Sequence, residues 1–326
     1  MSAGAAQAAW LWDPETGKWT NTKDVARDTP QAQYDVAKQA FDAEDYKKAL
    51  DEFDKLIRHY PNNRWAAEAQ FYKGLIFEKT DDVAKAAEAF RTVVDRYPYS
   101  NRINDAIEKE YQIAEAMMEG KKTKVLGMAI LPAEDEAADL YRHILRNAPY
   151  GPYGAAAQFR LGDAELKLGN FEEAERAYKA VIDEYPNTEW HEKAQYQIAK
   201  VSFKSAMTDE YNQDRTNEAI SKYEGFKKSG ALSAEEMETD KAIQQLKVKK
   251  AESIYSIAEF YFQRKKYASA KIYFEDVIRQ FPDLEISNRA RDLLKQTEAH
   301  LGNAQPKTEI PGEESQEKKK PFLGLF

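Results

Sequence analysis

The chain has 326 residues, 32% of them charged, with a formal net charge of −8 and a pI near 5.4, so it lacks the basic surface that nucleic-acid binding requires. It contains no cysteine, which excludes disulfides, thiolate metal sites and thiol catalysis. A mean hydropathy of −0.77 alongside 12% aromatic residues suits many exposed helical faces, each with one apolar stripe, more than one large core.

The first residues, MSAGAAQAA, lack the charged and apolar regions of a signal peptide. Ala6-Gln7-Ala8 has the small-x-small form of a cleavage site, so both a processed remnant and a plain tail stay open. No apolar run approaches the roughly 18 residues that a membrane-spanning helix needs. Residues 10–19, WLWDPETGKW, set three tryptophans around a turn at Asp13-Pro14-Glu15-Thr16-Gly17. Two readings stand: the rings cover the open face of the first repeat, or they contact an envelope partner or a lipid interface. Residues 1–29 form an N-terminal extension.

From residue 30 a short phrase recurs. Ala32-Gln33-Tyr34, Ala69-Gln70-Phe71, Ala157-Gln158-Phe159 and Ala194-Gln195-Tyr196 all read Ala-Gln-aromatic, and three residues later come Ala37, Gly74, Gly162 and Ala199. Tyr111 with Ala114, and Tyr255 with Ala258, occupy the same slot, preceded by Glu110 and Ile254. A second pattern follows each copy: Ala, then an aromatic four residues on, as in Ala49/Phe53, Ala86/Phe90, Ala137/Tyr141, Ala174/Tyr178, Ala219/Tyr223 and Ala270/Phe274. Five units close on Pro61, Pro98, Pro149, Pro186 and Pro282, and in four the aromatic-to-proline separation is 27 residues.

Apolar positions recur at i, i+3, i+4 and i+7 within each half, so each half is an amphipathic helix. Turns such as Leu168-Gly169-Asn170 separate the halves, and the proline ends the second helix. A helix–turn–helix unit of about 34 residues with this pattern is the tetratricopeptide repeat. The small residue of the first helix is expected to meet the Ala of the second where they cross.

The predicted fold is all-α: a right-handed α-solenoid of about six tetratricopeptide-type helix pairs plus a C-terminal capping helix. Units are placed at about 30–61, 66–98, 103–149, 152–186, 190–230 and 234–282, with the cap at 285–301. The third unit carries a long turn at 120–134, the fifth another at 207–217, and the sixth opens with a long polar helix. Residues 302–326 are rich in Pro, Gly, Glu and Lys, read as a disordered tail, and end in the apolar clip PFLGLF.

No catalytic pattern emerges. His59, His143, His191 and His300 fall at unrelated repeat positions, and 209–214, DEYNQD, lacks the turn glycine and closing glutamate of a calcium loop. There is no phosphate loop, no GxSxG and no HExxH. The reading is therefore a non-enzyme without metal or cofactor, working through a surface. First helices line the inner wall of a solenoid. Tyr34, Gln70, Phe71, Tyr111, Gln158, Phe159 and Tyr196 become candidate groove residues for a peptide partner, with inter-repeat core as the competing role.

Units closing on RHYPNN, DRYPYS and DEYPNTEW, preceded by Ala-Gln-aromatic helices and by WLWDPETGKWTN and TPQAQYDVAKQAF, resemble the BamD/ComL family of outer-membrane assembly factors over residues 30–301. The resemblance implies a periplasmic, outer-membrane-associated scaffold that binds a barrel assembly subunit and unfolded outer-membrane proteins, without spanning the membrane. It also implies a substrate side at Tyr34, Phe71 and Tyr111, and a partner face at Tyr255 and Phe274. Family members carry a lipidated cysteine, for which this sequence has no counterpart, so the anchor stays open. The alternative function is a tetratricopeptide interaction scaffold in cell division, export or chaperone docking.

Overall fold

The computed structural model describes residues 10–13, 17–21, 25–120, 124–125, 128–129, 133–208, 212–228 and 233–302. The cleavage-like Ala6-Gln7-Ala8, the PFLGLF end and parts of both long turns lie outside the described residues. The chain divides into two compact units, residues 1–209 with 214–239, and residues 210–213 with 240–326.

The first unit is built from helices α1 (Pro30–Asp42), α2 (Tyr46–His59), α3 (Arg64–Lys79), α4 (Val83–Arg96), α5 (Ile103–Met118), α6 (Glu134–Asn147), α7 (Gly154–Leu168), α8 (Phe171–Glu184), α9 (Trp190–Thr208) and α10 (Gln213–Lys228). Helix α11 (Ser233–Gln263) begins there and runs into the second unit, which continues with α12 (Tyr267–Gln280) and α13 (Glu285–Gly302). From α1 to α9 each helix packs on the next, so the architecture is an all-α stack of antiparallel pairs.

Local chemistry sets the helix ends. Thr29, Asp45, Asn63 and Asp82 accept bonds from the backbone N–H groups of Ala32, Lys48, Trp65 and Lys85, capping α1 to α4. Gly169 closes α7 in the left-handed conformation at φ 82°. Glu44, Asp81 and Lys265 hold the equivalent turns at φ 59°, 61° and 59°, where a side chain is disfavoured.

At two of the crossings the structure adds a contact to the expected one. A Cβ at Gly74 would lie 2.5 Å from the Phe90 ring, and one at Gly162 would lie 2.6 Å from the Tyr178 ring. At these two crossings the small residue makes room for the aromatic of the second helix. A flat ring fills the space that a Cβ would occupy, while Ala86 and Ala174 are buried one turn earlier. In the second unit Ala251, Ile254, Tyr255, Ala258, Phe274 and Val277 form one apolar cluster.

Two short hairpins accompany the helices. Strand β1 (Trp10–Asp13) pairs antiparallel with β2 (Lys18–Asn21), and β3 (Lys124–Val125) pairs with β4 (Met128–Ala129) in the turn between α5 and α6. Trp12 faces Trp19 across the first hairpin, with ring centroids 5.5 Å apart. Trp10, Trp12 and Trp19 stay 59%, 50% and 62% exposed, so the reading that they cover the first repeat does not hold. Their edge contact is made within the hairpin itself.

Candidate functional site

The recurrent aromatics serve the core. Phe71, Phe159, Tyr196, Tyr255 and Phe274 are buried, and their rings lie 5.3 Å from Phe90, 5.3 Å from Tyr178, 5.1 Å from Phe226 and, for the Tyr255–Phe274 pair, 5.8 Å from each other. Tyr34 and Tyr111 are partly buried, with ring centroids 4.5 Å from Trp65 and 5.0 Å from Tyr153. The groove assignment for Phe71, Phe159 and Tyr196, and the partner-face assignment for Tyr255 and Phe274, are thus corrected. Each ring removes more apolar surface from water between its own two helices than an open wall would allow.

The glutamines are also occupied internally. Gln33, Gln70 and Gln158 each donate from Nε2 to a carbonyl nineteen residues on, those of Glu52, Ala89 and Ala177, at 3.0, 3.1 and 3.0 Å. Gln70 and Gln158 are therefore ties between first and second helix, not donors to a guest peptide. Gln195 bonds the His191 ring, at 3.2 Å.

Glu110 occupies the glutamine slot of α5 and is fully buried. It meets His143 Nδ1 at 2.7 Å, and His143 Nε2 meets Asp95 at 3.0 Å, joining α4, α5 and α6. Burial raises the Glu110 carboxyl above its ordinary range, and His143 partly offsets that. Burial also works against the His143 imidazolium, yet its bonds to Glu110 and Asp95 outweigh that and raise its pKa. The four histidines gave no such signal in sequence; the one available was an acid standing where other units carry Gln.

A surface groove remains on the first helices α5, α7 and α9. It encloses about 320 Å³ and is lined by four cations, Arg160, Lys167, Lys200 and Lys204, with the acids Glu115, Glu119 and Asp163. Its floor is a fixed network. Arg160 bonds Glu115 at 3.1 Å and Asp163 at 3.0 Å, Tyr141 donates to Glu115, and Tyr178 donates to Asp163 at 2.7 Å. Lys167 donates to the Met118 carbonyl at 2.6 Å.

Burial first, and then the neighbouring carboxylates, push the Tyr141 and Tyr178 phenols far up. Arg160 is held charged, because Asp163 and Glu115 outweigh its desolvation. Both phenols and the guanidinium therefore keep their protons near neutrality, and their bonds to Glu115 and Asp163 hold the floor in place. Sequence alone does not single this network out: Glu115 and Asp163 stand four residues past the first-helix aromatic in the units of Tyr141 and Tyr178, but Glu259 stands there in the unit of Phe274, and Lys200 in that of Tyr223. Among the described residues no three His, Asp or Glu side chains gather to hold a metal ion, and no helix is long and apolar enough to cross a membrane.

Models of the tetratricopeptide repeat match residues 28–101, 156–188 and 252–284. The helix pairs in those stretches, α1 to α4, α7 with α8, and the end of α11 with α12, match the tetratricopeptide repeat. In sequence this repeat protein is BamD-like. It is 23% identical over 180 residues to the outer membrane protein assembly factor BamD of Xylella fastidiosa, covering 50% of this chain and 61% of that one. It is 25% identical over 182 residues to the BamD of Rickettsia prowazekii, covering 53% and 71%. Among solved structures, a thermophilic tetratricopeptide protein of Thermus thermophilus superposes with a TM-score of 0.33 at 16% identity, over 66% of this chain and 100% of that one.

Proposed function

We propose that this repeat protein is a non-catalytic periplasmic scaffold of outer-membrane β-barrel protein assembly, associated with that membrane and binding its partners through helical surfaces. One observation carries the reading: the similarity to two BamD proteins over about half of the chain, on a tetratricopeptide framework. The groove of α5, α7 and α9 is the surface on which the reading places a protein partner. Its floor is pre-organised by Arg160, Glu115 and Asp163, so docking there costs little ordering of the floor itself.

Photo-crosslinking in a native cell envelope tests it. Because Phe71, Phe159 and Phe274 are buried, the photoreactive residue replaces Glu119, Lys200 or Lys204, which line the groove. Adducts with a barrel assembly subunit or with unfolded barrel precursors are expected. Adducts confined to division, export or chaperone proteins would overturn the assembly reading, and a folded protein giving none would remove the groove from it.

A further inference from the structure

A tyrosine stands before three of the five closing prolines, Pro61, Pro98 and Pro186, and two of the three share a task. Tyr60 donates to the Arg27 carbonyl at 2.6 Å, and Tyr185 donates to the carbonyl of Pro149, the proline that closes the preceding repeat, at 2.8 Å. By the same rule Tyr97 should reach the carbonyl of Pro61. It does not: the Tyr97 hydroxyl is buried and has no hydrogen-bond partner. Pro61 and Tyr97 instead line opposite loops of a cleft of about 500 Å³, between the end of α2 with the start of α3 and the end of α4 with the start of α5.

The rest of the cleft is chemically distinctive. Arg64 and Arg96 line it, and among the described residues neither pairs with a carboxylate. Each guanidinium lies over a ring instead, Arg64 at 4.7 Å from the Trp65 centroid and Arg96 at 5.9 Å from that of Tyr97. The cleft's own acid, Glu68, is already bonded by Arg102 at 3.0 and 3.1 Å. Tyr99 stands 99% exposed at the rim, beside Pro98. Burial pushes the Tyr97 phenol up, so it stays a protonated donor.

An orphaned donor, two uncommitted guanidinium groups and an aromatic–proline wall select one kind of guest. We infer that this cleft binds an extended acidic peptide segment, its carboxylates paired with Arg64 and Arg96, an apolar side chain against Tyr99 and Pro98, and a backbone carbonyl accepting from Tyr97 Oη. Bidentate guanidinium–carboxylate pairing supplies specificity, and the guest oxygen satisfies a group that the fold leaves unpaired. The inference stands on the cleft alone and does not depend on the assembly reading.

The test uses the full chain and a fluorescein-labelled eight-residue peptide with Asp-Phe-Asp at its centre, read by fluorescence polarisation. Saturable binding is expected, lost when Asn-Phe-Asn replaces the centre. The Arg64→Gln/Arg96→Gln variant should weaken it at least tenfold, and Tyr97→Phe about threefold. Thermal melting separates binding from folding: Tyr97→Phe should melt at the same temperature or higher, whereas Tyr185→Phe should melt lower. Equal binding of all variants or of the neutral peptide would overturn the proposal. So would a lowered melting temperature for Tyr97→Phe, or binding of anionic phospholipid vesicles or inorganic phosphate in place of the peptide.

Discussion

Helix pairs α3/α4 and α5/α6 make the same crossing with different chemistry. In the first, Gly74 admits the Phe90 ring and Gln70 ties the helices through the Ala89 carbonyl. In the second, Ala114 takes the small position, Tyr141 brings a hydroxyl to Glu115, and the buried Glu110 reaches His143 and, through it, Asp95 on α4. The first solution is neutral and closes one repeat on itself. The second is charged and links two repeats, so its contribution depends on protonation. A single slot in the repeat thus tolerates either a backbone tie or an ionic relay, provided the buried group is partnered.

The contrast breaks most severely at the relay. His143→Ala leaves Glu110 buried without its partner and should cost about 3–5 kcal/mol, measured by urea unfolding. Next comes the crossing: Gly74→Leu overpacks the Phe90 ring and should cost about 1–3 kcal/mol, with Gly162→Leu behaving alike against Tyr178. Removing the neutral tie is milder: the Ala89 carbonyl keeps its helical bond within α4 and loses only the second one, so Gln70→Leu should cost about 0.5–1.5 kcal/mol in the same assay.

Acidity sharpens the comparison further. Folding raises the pKa of His143 above the ordinary 6.5, so its stabilisation is fully present below pH 6.5 and is lost as pH climbs through the raised value. The raised Glu110 pKa acts in the same direction, beginning above the ordinary 4.5. Melting temperatures taken from pH 6 to pH 9 should therefore fall more steeply for the wild type than for His143→Gln. The smallest effect lies in the turns. Lys265→Gly relieves a left-handed side-chain-bearing residue and should raise stability by about 0.5–1 kcal/mol.

Much of the fold is legible because its signals are local. The 3.6-residue apolar period, the Ala-Gln-aromatic phrase and the spaced prolines each act within one helix pair, and α1 to α13 follow them. The site was less legible. Phe71 and Phe159 look alike in a groove or a core, since an aromatic stripe has the same spacing in either role. Gln33, Gln70 and Gln158 could be read as ties only once the nineteen-residue reach across the turn was seen. Lys200 and Lys204 are ordinary helical lysines until α9 sets them in the same groove as Arg160.

Sequence by itself determined the repeat, its helices, their turns and the small residue at each crossing, because each rests on residues a few positions apart. Only tertiary structure decided that a ring fills the space beside that small residue and that the recurrent aromatics face inward. It alone decided that Glu110, His143 and Asp95 meet across three helices, and that Tyr97, unlike Tyr185, is left without its carbonyl. The reason is physical: periodicity fixes which face of a helix is apolar, whereas stacking fixes what that face and its neighbours touch.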